Sequence, residues 1–338
     1  MWSGGLGVFL EQLRERMLRG DPSAYVEFGN IVGTLARSHY KSRGVPEEDI
    51  GTLVPQLVYD LSTGVDRLGR DPRLLEILIW EAVEARWESW ICELYEKAKD
   101  LENGTRFQAQ LLAHPTATTA GIEVVACMRP AIGLSGDFHE VSDLGNDRLL
   151  VALGDATGHG TSAGLHSTIC WVLLRERALR MRDPIDLLHS LNQTLMQFRL
   201  TGRFITLTLG LFEAKRGIVT IANAGGTSPF IVGLSECLDV QLDSHFLGFC
   251  ERPEFCKKEM AICAGDHVVF YSDGVSEQEN ESGEFYGTEA LKRLVRQGAS
   301  LAVKEIVTSV FKDVDAFRAR SHQRDDQTVI VARVVTTT

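Results

Sequence analysis

The chain is 338 residues long with 44% hydrophobic and 24% charged residues, which excludes a disordered, collagen-like or disulfide-stapled protein and leaves room for about two domains. Its formal charge of −11 argues against bulk nucleic-acid binding and against attraction to an anionic membrane surface, since both need a basic footprint. No apolar run approaches the roughly 18–20 residues of a bilayer span, and seven cysteines without CxxC spacing read as reduced thiols of a cytoplasmic protein rather than disulfides or a zinc site.

Taken in chain order, the first hundred residues carry helical periodicity. The opening stretch meets Glu11 early and has no basic segment, so it does not read as a signal peptide. Leu10, Leu13, Met17 and Leu18 fall at helical spacing. Asp21-Pro22 is an N-cap followed by a proline in the first turn, and Tyr25, Phe28, Ile31, Val32 and Leu35 form the stripe of a second helix. Gly44-Val45-Pro46 ends it, and a third segment runs from about Pro46 to Leu68. Asp71-Pro72 repeats the start signal for a fourth, which carries Trp80, Val83, Trp87 and Trp90 towards Lys99. Four helices with short connections suggest an antiparallel bundle over residues 1–100, expected to self-associate or dock a regulatory protein through its tryptophans. Residues 101–120 read as a linker helix, with Asn103-Gly104 as a breaking signal inside it and His114-Pro115-Thr116 at its end.

From residue 121 short apolar runs take over. Residues 122–128, 148–153, 204–212, 217–222, 255–263, 267–271 and 328–334 read as strands. Helices are expected after Gly160 to about Arg180, from Asp183-Pro184 to about Phe198, and over about 288–297 and 301–318. Strands often follow one another directly, which favours α+β with antiparallel sheets over a doubly wound parallel sheet.

Four segments place an aspartate beside glycine or a second acid at the edge of an apolar run. They are Ser135-Gly136-Asp137-Phe138, Gly154-Asp155-Ala156-Thr157-Gly158-His159-Gly160, Tyr271-Ser272-Asp273-Gly274 and Arg324-Asp325-Asp326-Gln327-Thr328. Strand ends on one rim of a sheet can converge, and carboxylates so gathered repel one another unless a cation neutralises them. An all-oxygen site of this kind suits Mg²⁺ or Mn²⁺. Any one segment alone reads equally as a turn. None is a P-loop, because no Gly-Lys-Ser/Thr follows.

The four segments in this order, with Gln108-Ala109-Gln110-Leu111-Leu112, NAGGTSP at 223–229, VVFYSDGVSEQEN at 268–280 and Gly283-Glu284-Phe285-Tyr286-Gly287, resemble the metal-dependent phosphatases related to protein phosphatase 2C, in their SpoIIE/RsbU branch. The resemblance covers about residues 107–335 and implies a phosphatase domain over 121–338. It implies an α-β-β-α sandwich of two antiparallel sheets flanked by helices, here preceded by the helical bundle. It also implies two divalent cations, Mn²⁺ or Mg²⁺, on Asp137, Asp155, Asp273 and Asp325. In that correspondence Asp155 bridges the ions, the Ala156 carbonyl is a backbone ligand, and Asp326 only supports. Ser135, Glu140 and Gly226 depart from the usual residues of the branch, and His139 and His159 read as loop histidines without a catalytic role.

The activity implied is hydrolysis of a phosphoserine or phosphothreonine protein, with water activated by the cations as nucleophile. In this branch the substrate is typically a STAS-type anti-sigma-factor antagonist of a bacterial partner-switching or stress-response pathway. No cysteine lies in a Cys-x5-Arg loop, so no covalent phosphoenzyme is called for. Two other readings share parts of the pattern: a catalytically silent adaptor working through the helical domain, and a metal-dependent nucleotide hydrolase, which would lack a phosphate-cradling loop.

Overall fold

A computed structural model describes residues 5–63, 72–112, 116–119, 121–158, 160–181, 183–198, 202–233 and 236–335. The chain divides into two compact units, residues 1–100 and 101–338.

The first unit is helical. It holds α1 (Gly5–Leu18), α2 (Pro22–Ser42), α3 (Glu47–Thr63) and the first part of α4 (Pro72–Leu111). Asp21 caps α2, its carboxylate accepting from the Ser23 amide at 3.0 Å. Leu10, Leu13, Met17, Phe28, Ile50 and Val83 belong to one buried core, and the Tyr40 hydroxyl donates to the Val83 carbonyl at 3.1 Å, tying α2 to α4. Trp80, Trp87 and Trp90 pack partly buried against that core, and the Arg43 guanidinium lies 4.5 Å from the Trp87 ring. The third segment expected to reach Leu68 is helical to Thr63, and residues 64–71 lie outside the described residues. Asn103-Gly104 does not break α4. Gly104 stays in the helix, and a Cβ there would stand 3.3 Å from Leu134, so the missing side chain serves close packing rather than a turn.

The second unit is an α-β-β-α sandwich. Its six-stranded sheet runs in the order β1 (Thr116–Thr119), β2 (Ile122–Arg129), β11 (Gln327–Val334), β10 (His267–Tyr271), β7 (Phe230–Val232), β8 (Cys237–Asp239). The five-stranded sheet runs β3 (Asp137–Gly145), β4 (Arg148–Ala156), β5 (Ile205–Glu213), β6 (Ile218–Ala224), β9 (Cys256–Ala261). Every ladder is antiparallel. The period-2 alternation of β4 builds two cores at once. Leu149, Val151 and Leu153 face the other sheet, where they join Val268, Phe270 and Ile330. Leu150 and Ala152 face outwards into a second core with α5 (Thr161–Ala178) and α6 (Pro184–Gln197). The helices α8 (Thr288–Gln297) and α9 (Val303–Arg318) cover the six-stranded sheet through Val269, Val329, Val307 and Phe311. A short turn of helix, α7 (Asp273–Ser276), follows β10.

β3 has no counterpart among the expected strands. Its sequence DFHEVSDLG puts His139 and Glu140 in the interior, where a hydrophobic pattern would place apolar residues. Glu140 is tolerated because the Trp171 indole donates to it at 2.7 Å, the Ser142 hydroxyl donates to it, and Arg175 stands 3.7 Å away. The short strands β1, β7 and β8 also fall outside the expected set, being three or four residues long.

Candidate metal centre

Two of the expected aspartates come from the five-stranded sheet. Asp137 opens β3, Asp155 nearly closes β4, and the antiparallel register sets them directly opposite each other. Asp137 is 1% exposed, and the Thr328 hydroxyl donates to its Oδ2 at 2.6 Å. The other two come from the six-stranded sheet. Asp273 follows β10 as the first residue of α7, and Asp325 stands two residues before β11.

Electrostatics ties the four together. Burial, then the facing Asp155, push the Asp137 carboxyl well above the usual carboxylate range, against the hydrogen bonds of Thr328 and Ser272. Burial, then Asp273, Asp325 and Asp326, push Asp155 up to about 8. Asp155 thus feels three carboxylates from the far sheet. Gly136 makes the approach possible. A Cβ on it would stand 3.0 Å from the Ala156 carbonyl oxygen and 3.1 Å from Asp155 Oδ1, so those two oxygens look onto the same small space.

Asp326 is not one of the converging oxygens. It is 5% exposed, and its two carboxylate oxygens accept from the Ala131 amide at 2.7 Å and the Gly136 amide at 2.6 Å. It clamps the loop that delivers Asp137. Gln108 grips the same loop from α4: its Oε1 accepts from the Ser135 amide at 2.8 Å and its Nε2 donates to the Ser135 carbonyl at 2.9 Å. Leu101, Gly104 and Gln108, spaced i, i+3 and i+7, share one helix face, which meets Gly133, Leu134 and Ser135.

A cavity of about 60 Å³ adjoins the acids, lined by Asp155, Asp273, Thr206, Thr208, Gly226 and Thr227. The threonine hydroxyls are occupied in holding its wall. Thr208 donates to the Thr227 carbonyl at 3.1 Å, and Thr227 donates to the Tyr271 carbonyl. Asn223, fully buried, spans the NAGG turn with bonds of 3.0 Å to both the amide and the carbonyl of Gly226. Sequence reading left Thr328, Thr208, Thr227 and Asn223 without roles. The first lies inside the DDQT segment, and Asn223 and Thr227 lie inside NAGGTSP, so motif membership was the available signal. His139 sits buried in β3 rather than in a loop, and His159 lies outside the described residues.

The donor set fits hard divalent cations. It is all oxygen, and burial with mutual repulsion raises the Asp137 and Asp155 carboxyls, a cost that a bound cation would offset. Among the described residues no three acidic, histidine or cysteine side chains close into a ready cage.

The family model described as Stage II sporulation protein E (SpoIIE) matches residues 145–335. Phosphoserine phosphatase RsbU of Bacillus subtilis is 23% identical over 286 residues, covering 83% of this chain and 82% of that one. Protein IcfG of Synechocystis is 25% identical over 260 residues, 68% of this chain but only 41% of IcfG. Among solved structures, the SiaA-PP2C domain of Pseudomonas aeruginosa aligns with a TM-score of 0.62 at 19% identity, over 71% of this chain and 98% of that domain. The PP2C phosphatase domain of SpoIIE from Bacillus subtilis, solved with a fragment of its regulatory domain, aligns with a TM-score of 0.55 at 23% identity, over 64% of each chain. At such identities the structural likenesses establish the fold.

Proposed function

We propose, from the premise that this chain belongs to the SpoIIE family and carries its PP2C-type serine/threonine phosphatase domain, that it strips phosphate from a phosphoprotein with the help of two divalent cations, Mn²⁺ or Mg²⁺. Asp137, Asp155, Asp273, Asp325 and the Ala156 carbonyl are the residues that would hold them. The observation that carries this reading is the crowding of Asp155, whose carboxyl is pushed up to about 8 by burial and then by acids that reach it from the opposite sheet. Such crowding is costly without a cation and productive with one.

Bound there, the cations would supply charge to neutralise the phosphoryl oxygens and a water made acidic enough to attack phosphorus at neutral pH. The chain's own residues do the positioning. Thr328 fixes the rotamer of Asp137 through its short hydrogen bond. Asp326 and Gln108 hold the 131–136 loop, so Asp137 meets Asp155 without a search. Asn223 and Thr208 keep the Gly225-Gly226 turn open beside Asp273, where a side chain at Gly226 would meet Thr208 Oγ1 at 2.4 Å.

The substrate we propose is a phosphorylated anti-sigma-factor antagonist of the STAS type in a bacterial partner-switching pathway, and the site of action the cytoplasm. Support comes from the extent of the likeness to RsbU, which runs over most of both chains. No helix among the described residues is long and apolar enough to cross a membrane. Residues 1–100 would take a regulatory protein or a second copy of the chain; Ile91, Leu94 and Tyr95 stand exposed on α4.

The test is phosphate release from p-nitrophenyl phosphate and from a phosphorylated antagonist, with and without Mn²⁺. Mn²⁺-dependent release that falls to background in Asp155→Asn is expected. Wild-type protein that releases no phosphate from either substrate at saturating Mn²⁺ would favour a silent adaptor and sink this reading.

A further inference from the structure

Next to the four aspartates lies a groove of about 240 Å³ to which the chemistry above gives no part. Its inner end is formed by Asp273 and Asp325, and its outer walls by Glu277, Glu279, Phe285 and Arg324. It therefore opens onto the reacting centre from the side of the six-stranded sheet. A phosphorylated residue seated at the aspartates would leave its neighbours in the chain to pass over this groove.

Phe285 is 59% exposed, yet it does not sit on a frayed loop. Glu279 and Phe285 form an antiparallel bridge. Between them Asn280 accepts from the amides of Ser282 at 2.9 Å and Glu284 at 3.0 Å, and its own amide donates to the Glu284 carbonyl at 3.0 Å. Tyr286, next in sequence, is buried, with its hydroxyl on Asp313 at 2.7 Å. An ordered turn thus holds an aromatic ring out in water at the mouth of the groove, a preorganised contact surface.

The charges of the walls are unequal. Arg324 and Glu279 face each other at 2.6 Å and cancel. Glu277, exposed just after α7, has no basic partner among the described residues. With Asp273 and Asp325 engaged by cations, Glu277 remains the uncompensated charge of the groove that Phe285 also lines. A groove that offers both a carboxylate and an exposed aromatic ring suits a side chain with a long aliphatic stem and a cationic head.

We propose that this groove receives a lysine or arginine of the phosphoprotein substrate, close in sequence to the phosphorylated residue. Its stem lies on Phe285 and its head reaches Glu277. The inference rests on the phosphatase reading and adds a substrate preference to it: a basic flank is favoured and an acidic flank is repelled. A span of three residues reaches about 10 Å at 3.3–3.6 Å per residue, which sets the range of positions concerned. In an acidic chain of net charge −11, long-range attraction does not select a phosphoprotein, so a local pocket of this kind has to.

The experiment uses the full chain with Mn²⁺ and two phosphoserine peptides, identical except for arginine or glutamate within three positions of the phosphoserine. The expected result is a kcat/KM higher by about fivefold or more for the arginine peptide, the combined size of an exposed cation–π contact and a surface ion pair. Glu277→Gln and Phe285→Ala should each cut that preference by about twofold or more, and the double variant should abolish it, while p-nitrophenyl phosphate turnover and Mn²⁺ affinity stay at wild-type values. Equal kcat/KM for the two peptides in the wild type, or a preference that survives both substitutions, overturns the proposal. Turnover of p-nitrophenyl phosphate reports on the phosphatase reading separately. Should turnover be absent, binding of the two peptides by fluorescence anisotropy decides on the groove alone, with tighter binding of the arginine peptide expected and equal binding overturning it.

Discussion

Gly274 sets the tightest tolerance in the site. A Cβ there would stand 2.0 Å from the Asp326 carbonyl oxygen, a backbone atom that cannot swing away. Gly274→Ala is therefore expected to push the Asp273 turn off the start of β11, lowering Mn²⁺ affinity by at least about tenfold, since metal sites tolerate little displacement. Titration calorimetry beside a thermal melt checks this, and a variant with unchanged Mn²⁺ affinity would contradict it. Asp326 makes a second case. An asparagine there offers one acceptor oxygen to two loop amides, so Asp326→Asn should cost about 1–3 kcal/mol of stability and weaken Mn²⁺ binding. The raised carboxyls give a pH dependence of definite sign. Without metal, folded Asp137 and Asp155 keep protons that the unfolded chain releases above about pH 4. The folded state then binds more protons than the unfolded one, so metal-free stability should fall as pH rises from about 4 to about 8. Melting temperatures at pH 5 and pH 8 test this, and Mn²⁺ should abolish the difference. At this scale the sequence pattern singled out the acids because each lies in a dense local motif. It marked Gln108 by motif membership but could not give its role, since its partner Ser135 is a loop residue 27 positions away.

The element that sequence reading lost is β3, and the reason lies in its neighbours. Strand periodicity presumes that interior positions are apolar, yet Glu140 is buried by virtue of an indole and a guanidinium on α5, which no local window can see. Trp171→Phe removes the indole donor while nearly keeping the volume. It is expected to cost about 1.5–3 kcal/mol, the range for a hydrogen bond to a charged group, read by urea denaturation. Glu140→Gln in the same background should recover part of the loss, and no recovery would mean that packing, not the carboxylate, carries the effect. For α4 the helix was expected to run on past Lys99, with Asn103-Gly104 as the signal against it, and it is continuous to Leu111. Asn103-Gly104 has the composition of a stop, but a glycine on a packed helix face also admits a neighbour, and here it admits Leu134. The long strands were legible because their alternation is regular, as in β4, whereas three-residue strands such as β7 and β8 are specified by pairing rather than by their own pattern.

For the whole molecule, the division at residue 100 leads to a simple expectation. A chain of residues 101–338 keeps Leu101, Gly104 and Gln108, and with them the grip of α4 on the 131–136 loop. It should fold and retain Mn²⁺-dependent turnover of p-nitrophenyl phosphate, whereas starting at 113 should not, and circular dichroism with the same assay separates the two. The direct succession of strands made an α+β class with antiparallel sheets legible, the sandwich was implied by the family resemblance, and the strand order came only from pairing across long stretches of sequence. The four aspartates divide evenly between the sheets, Asp137 and Asp155 on one and Asp273 and Asp325 on the other. Cations held by that set would behave as a rivet through two plates that otherwise meet only through side chains such as Val151, Phe270 and Ile330. Amide hydrogen exchange should register it: on adding Mn²⁺, protection should rise together at the end of β4 and the start of β11, two stretches some 170 residues apart in sequence.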